Sequence, residues 1–346
     1  MTRLIALIAA AALIAGGAML VYASGESGPS GTDTAVAHDA TLAGDGASAR
    51  SSQSLGSCAV LPSNDAFHQD VSGLDVAANS AAIIGRADGS DLHPDFGANP
   101  HYGIPYAVVG PSQRKIAVHI RRGSGYPGQS DKGRRPIPPK AKIEGGKHSN
   151  DDRHTLVVQR AKNGGSCKLT ELYRAKYDGG KGHRWSADQV SAFNLGKELP
   201  QRPKGWTSAD AAGLPILPGL VRYGEVKNGL VDHAIRITFG ETRAAYRSPA
   251  THFASDSCSS NLPAMGDRLR LKSDYPIASM SHDSKVIATA LKTYGAIVAD
   301  NGSDFYISGS TDGRWKDSHL DGLRDIPGSA FEVLDTGQPL TLSSGC

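Results

Sequence analysis

Apolar residues along this chain recur mostly at every second position, the period of a half-buried β-strand. Ile104 to Val109 and Lys115 to Ile120 read as two strands around a Gly110-Pro111 turn. His154 to Arg160 alternates, and Asn163-Gly164-Gly165 then leads into Lys168 to Ala175, which predicts a hairpin with Cys167 at its base. Leu230 to Phe239 alternates as well, with His233, Ile235, Ile237 and Phe239 on one face. Asn301-Gly302 sits between Ala296–Asp300 and Ser303–Ser308. It predicts another hairpin, because Asn-Gly accepts positive φ at both central positions of a type I′ turn. Arg268 to Lys272 and Ala330 to Leu334 add two strands.

Helical spacing is rarer. Asp283 to Tyr294 is the best case, with an acidic cap, apolar Val286, Ile287, Ala290 and Leu291, and Gly295 as its stop. Ala77 to Arg86 and Pro218 to Lys227 read as shorter helices, and Thr207 to Asp210 as a capped turn before Pro215. Many short strands with Gly- and Pro-rich connections predict a mainly β fold, an antiparallel jelly-roll-like sandwich with a few short helices.

The N-terminus departs from this pattern. Arg3 precedes an apolar run from Leu4 to Leu20, and Val21-Tyr22-Ala23 supplies a small-x-small exit. Residues 1–23 therefore read as a secretory signal peptide. An uncleaved anchor is the alternative, since about 20 apolar residues span a bilayer. Residues 24–57 hold mostly Ser, Gly, Ala, Thr and Asp, and such a segment buries too little apolar surface to offset its ordering entropy. They read as a flexible linker, and 58–346 as one β-rich domain.

Export changes the reading of Cys58, Cys167, Cys258 and Cys346. An even count in an oxidising compartment implies two disulfides with three possible connectivities. The expected pairing is Cys58 with Cys167 and Cys258 with Cys346, which staples both ends of the domain. No CxxC pair supports a metal knuckle.

Formal charge is +3, close to balance, but it is unevenly spread. Arg114 to Lys147 holds ten Lys or Arg residues against Asp131 and Glu144, with Pro127, Pro136, Pro138 and Pro139 interspersed. This reads as a long basic loop. Its function would be contact with an acidic polysaccharide or another anionic envelope polymer; otherwise it is a solvated excursion. Nucleic acid is not expected, because stacking aromatics are sparse there. The mature protein is expected to be a monomer that does not engage the membrane.

Several residue strings resemble a widespread group of secreted bacterial β-rich proteins for which no activity is established. They are Pro62-Ser63-Asn64, Leu92-His93-Pro94-Asp95-Phe96-Gly97, Gly103-Ile104-Pro105-Tyr106, Trp206 to Pro215, Pro218 to Tyr223 and Ala290 to Gly295. The similarity runs through nearly the whole domain and implies one secreted unit. Phe67 stands where that group usually has Trp, and the Cys258–Cys346 pair is an addition to its pattern.

Familiar catalytic motifs are absent. There is no G-x-S-x-G elbow, no H-E-x-x-H helix and no phosphate-binding P-loop. Gly123, Gly125 and Gly128 match G-x-G-x-x-G, but Pro127 lies inside the string and no helix follows. What remains are constellations. Trp206 offers a face for stacking on a sugar, Asp210 and Glu225 two carboxylates, and Arg222 and Tyr223 donors; the structural alternative is a helix-capping Asp210 and a surface Glu225. Glycoside hydrolysis needs two carboxyl groups about 5–10 Å apart, one protonated and one ionised. Asp151, Asp152 and His154, with Glu171 across the hairpin, form an acid/base group, a calcium or zinc ligand set, or simply a turn-forming Asp and an inward His held by hydrogen bonds; no other cofactor is indicated. His233 reads as a core histidine or a cleft wall, and Lys292, Tyr294 and Asp300 as a further polar group, with Asp300 placed for its turn.

The expected function is a secreted carbohydrate-active protein, a glycoside hydrolase on an extracellular or envelope polysaccharide. Asp210 and Glu225 are the carboxylate pair, assisted by Asp152 or His154, with Trp206, Arg222, Tyr223, His233 and Lys292 binding substrate. A non-catalytic carbohydrate-binding module and a polysaccharide lyase are the alternatives.

Overall fold

In a computed structural model, residues 54–346 are described apart from 56–57, 88, 124, 163–164 and 180–183. The signal peptide and most of the linker, like the Asn163-Gly164 turn, lie outside the described residues. The domain is mainly β. Short strands β1 (Ser54–Leu55) and β2 (Cys58–Ala59) pair antiparallel, so ordered structure already includes the end of the expected linker.

The largest sheet has six strands in the order β17-β14-β15-β12-β16-β3. These are β3 (His93–Pro94), β12 (Ile235–Phe239), β14 (Arg268–Leu271), β15 (Ala296–Asn301), β16 (Tyr306–Ile307) and β17 (Phe331–Val333). A four-stranded sheet runs β11-β8-β7-β4, from β4 (Tyr106–Val109), β7 (Thr155–Gln159), β8 (Lys168–Tyr173) and β11 (Gln189–Asn194). A second runs β6-β5-β10-β9, from β5 (Ile116–Ile120), β6 (Arg134–Arg135), β9 (Lys176–Asp178) and β10 (Arg184–Ala187). A last pair joins β13 (Ala245–Arg247) to β18 (Leu340–Leu342).

Each larger sheet mixes directions. β12 runs parallel to β15, β4 to β7, and β5 to β10. This corrects the antiparallel jelly-roll expectation. Parallel neighbours need long crossovers, and the chain supplies them: residues 110–154 link β4 to β7, and residues 240–295, with helix α3 (His282–Thr293), link β12 to β15.

Two hairpin expectations fail for the same reason. β4 and β5 join different sheets instead of pairing about Gly110. β15 and β16 do not pair either, because β12 lies between them; the positive φ falls at Phe305, not at Asn-Gly. The β7–β8 hairpin does form, with Leu156 opposite Glu171. Helices α1 (Ser80–Ile84), α2 (Tyr223–Lys227) and α4 (Asp321–Arg324) are short, and α3 is capped by Ser281 rather than Asp283. Among the described residues no helix is long and apolar enough to cross a membrane.

Burial explains the arrangement. Ile235, Ile237 and Phe239 face one core with Ile287 and Leu291 of α3. The β7–β8 sheet is covered on both sides, by Ile216, Leu217 and Leu220 on one face and by Trp185 and Ala187 on the other. Polar positions that alternation assigns to solvent, such as Arg236 on β12, are therefore buried as well. The disulfides are Cys58–Cys167 and Cys258–Cys346, with Cα separations of 5.7 and 5.4 Å, as expected. Two disulfides belong to an oxidising, extracellular-type compartment.

Candidate functional site

The segment from Thr207 to Leu220 crosses between the six-stranded sheet and the β7–β8 sheet, and the most chemically loaded pocket opens beside it. The pocket is small, about 240 Å³, and is lined by Tyr126, Asp152, Tyr173, Asp210, His252 and Asp300 among others. A tight turn holds Asp210: its N–H donates to Ser208 Oγ at 2.9 Å, and Gly213 N–H donates to Asp210 O at 3.1 Å. Gly213 has φ of 76°, and a Cβ there would lie 2.1 Å from Thr251 Oγ1 and 2.6 Å from Trp206 O, so only glycine closes this turn. Ala212 N–H donates to Ala299 O at 2.9 Å, which docks the turn beside Asp300 at the end of β15.

Arg236 reaches from β12 into the same place. Its Nη2 donates to Asp210 Oδ1 at 2.8 Å and to Asp300 Oδ2 at 2.7 Å, and its Nη1 to Ser308 Oγ at 2.8 Å. Two carboxyl groups thus share one guanidinium. The charges do not balance. Burial, then the adjacent Asp210 charge, holds the Asp300 carboxyl well above the usual carboxylate range. Asp300 therefore keeps a proton where ordinary carboxyls have lost theirs. Exposure separates the two: the Asp210 side chain is 1% accessible and that of Asp300 is 18%.

The walls add further groups. Asp152 is exposed at the rim. Burial, then the Asp152 charge, pushes the Tyr173 phenol up to about 12, so it stays protonated. Burial lowers His252, whose Nδ1 hydrogen-bonds Ala211 O at 2.8 Å. Behind the pocket, His154 Nδ1 donates to Glu144 Oε2 at 2.6 Å and Nε2 to Ala209 O at 3.0 Å. Burial disfavours the imidazolium, but the Glu144 carboxylate outweighs it and raises His154 to about 9. His154 is thus a buried cation holding the residue before Asp210, and it does not line the pocket.

The other sequence candidates lie elsewhere. Glu225, at the third position of α2, accepts from the Arg222 N–H at 3.1 Å and pairs with the Arg222 guanidinium and with His233 Nε2 at 3.5 Å. Burial pushes Glu225 up, but Arg222 and His233 overcome it and hold the carboxylate below its ordinary range. His233 is fully buried and its Nδ1 contacts Ala234 O, the core histidine already weighed. Arg222 also donates to Leu217 O and Leu220 O, while Tyr223 packs edge-on to Trp315. Trp206 is half-buried with the Arg202 guanidinium 5.5 Å over its ring, which covers one stacking face. Lys292 Nζ donates to Ser273 O and Tyr275 O.

The proposed ligand set is dispersed. Asp151 accepts from Ser149 Oγ, and Glu171 accepts from the Ile216 and Leu217 N–H groups. Among the described residues no group of three His, Cys, Asp or Glu side chains is placed to hold a metal ion. The pocket thus unites Asp210 and Asp152, adds Asp300, Tyr126, Tyr173 and His252, is backed by Arg236 through the two carboxyls, and leaves Glu225 out. Arg236 was hidden because it alternates as an outward strand residue; Asp300 was masked by its Asn-Gly neighbours.

Protein-family models, curated proteins and solved structures were compared with the chain, and none matches.

Proposed function

We propose that this protein is a secreted glycoside hydrolase acting in the pocket of Asp300, Asp210 and Asp152. The observation that carries this reading is that the partly accessible Asp300 shares the Arg236 guanidinium with buried Asp210 in a pocket that also holds the exposed Asp152. Burial and the Asp210 charge there raise the affinity of Asp300 for a proton. Acid/base cleavage of a glycosidic bond asks for one carboxyl group with raised proton affinity close to another carboxyl group. Asp300 is the general acid. When its proton passes to the leaving oxygen, the Asp300 carboxylate that remains is already hydrogen-bonded by Arg236, so the developing charge is met without rearrangement. Asp210 is too buried to hold a water for attack. It positions Asp300 and raises its affinity for the proton, and Asp152 serves as the nucleophile or base. His154, through Ala209, fixes the turn that carries Asp210.

A lyase reading has one observation in its favour. Tyr126, Tyr173 and His252 line the same pocket, and proton abstraction from a uronate uses such groups. The protonated state of Tyr173 favours hydrolysis, since a phenol raised to about 12 is a poor base near neutral pH.

The test is product analysis on a panel of neutral and acidic polysaccharides. Reducing ends without unsaturated sugars are expected, with turnover lowered about 10²–10⁴-fold in Asp300→Asn, which keeps the shape and removes the acid. Unsaturated products select the lyase, and no cleavage of any glycan rejects both.

A further inference from the structure

A cavity larger than the carboxylate pocket lies elsewhere. It is an open cleft of about 570 Å³ where the β5–β6 sheet meets the start of β8 and the turn after β11. One wall carries Lys115, Arg134 and Arg135, from the basic stretch; the other carries Lys168 and Lys197. Glu198 is the one acid lining it, and its Oε1 already accepts from Asn64 Nδ2 at 2.6 Å. None of the five cations has a carboxylate within ion-pair distance among the described residues.

Two further observations show that these charges are held together at some cost. Arg135 Nε is buried with no hydrogen-bond partner among the described residues. Partial burial and the charge of Lys197 hold the Lys168 ammonium below its ordinary value. Like charges on facing walls repel, and a bound polyanion removes the repulsion.

We propose that this cleft is a binding site for an acidic polysaccharide, separate from the reaction pocket. The cations come from three separate stretches of chain along an open trough, so one small anion would meet only part of the set, while spaced carboxylates along a polymer meet all of it. The choice of a polysaccharide over other polyanions rests on the hydrolase reading above; the polyanionic character rests on the cleft alone. Lys168 and Tyr173 stand at opposite ends of β8, roughly 16 Å apart by strand rise, so the cleft and the pocket are two places on one strand. The cleft would retain the polymer, and the pocket would act on it.

Binding is measured by titrating the disulfide-intact protein with polygalacturonate, neutral dextran and inorganic polyphosphate at two ionic strengths. Polygalacturonate is expected to bind in preference to dextran, and to weaken about tenfold or more as salt rises from about 50 to 200 mM. Lys115→Ala/Lys168→Ala/Lys197→Ala is expected to lose about 10- to 100-fold in affinity. Three exposed lysines are changed, so an unaltered melting temperature is expected, and Lys→Arg at the same positions should restore binding. Asp300→Asn should bind like the wild type, which separates failure of the cleft from failure of the pocket. Three results would each overturn the proposal: unchanged affinity in the triple variant, equal affinity for dextran, or a preference for polyphosphate over polygalacturonate. Loss of binding in Asp300→Asn but not in the triple variant would do the same, by placing the polymer in the pocket.

Discussion

Two of the buried carboxylate–guanidinium clusters in this domain hold their carboxyl groups in opposite ways. At Arg236, one cation faces Asp210 and Asp300. At Glu225, one carboxylate faces Arg222 and His233. The first has a carboxyl too many, so Asp300 holds a proton; at the second, the Arg222 guanidinium and the His233 ring outweigh burial, so Glu225 is held ionised. Access differs too, since Asp300 reaches a pocket while Glu225 closes the first turn of α2 against its own N-cap. A carboxylate saturated by neighbours is structural. One left with an unresolved charge at a surface opening is a candidate for chemistry.

The sharpest way to break the comparison is Arg236→Met. It strands a carboxylate beside a protonated carboxyl in a buried site, and a loss of about 3–5 kcal/mol in urea unfolding is expected. A loss below about 1 kcal/mol would mean that water already reaches the pair. Next in size is an alkaline effect from the support behind Asp210. His154 binds its proton more tightly folded than unfolded. Its contribution is therefore complete below pH 6.5 and is lost as pH rises through about 9. This rise is worth about 3 kcal/mol. Glu171, raised to about 7 by burial, also loses stability with rising pH but finishes earlier. Comparing the pH dependence of unfolding with that of Glu144→Gln isolates the histidine, and identical curves would reject this role.

On the other side, Glu225→Gln should cost about 2 kcal/mol, because Arg222 loses its charge partner while an acceptor for its N–H remains. Turnover on whichever glycan the wild type cleaves should stay within about twofold. A loss like that of Asp300→Asn would return Glu225 to the reaction. The smallest effect belongs to Lys292→Ala, which removes two hydrogen bonds to Ser273 O and Tyr275 O. About 1 kcal/mol of stability and no change in substrate affinity are expected; weakened affinity would restore it to the binding set.

Local features were legible where sequence neighbours decide them. The β7–β8 hairpin, α3 with Gly295 beyond its last turn, and the strands around Ile237 and Leu269 all follow from periodicity and turn chemistry. The Asn-Gly hairpin failed because β12 inserts between its two arms, a partner more than 50 residues away that no local rule sees. Half of the candidate site was legible. Asp210 stood out as a carboxylate in a Trp- and Pro-rich turn and Asp152 in a polar cluster at the start of a strand, and they share the pocket. Glu225 had the same appearance, but Arg222 and His233 fold back onto it.

By itself the sequence determined the β-rich character, the most regular helix and that four cysteines make two disulfides, since periodicity and capping act over short range and an even count leaves no cysteine over. Its basic stretch also marked three of the five cleft cations. Only the tertiary structure decided that the sheets mix parallel and antiparallel strands, that Lys168 and Lys197 join the basic wall, and that Arg236 is buried between Asp210 and Asp300. The physical reason is the second covering layer. Alternation shows that a strand has two faces, but burial of the polar face depends on what the rest of the chain lays over it. A charged group buried in this way must find its partner across the fold.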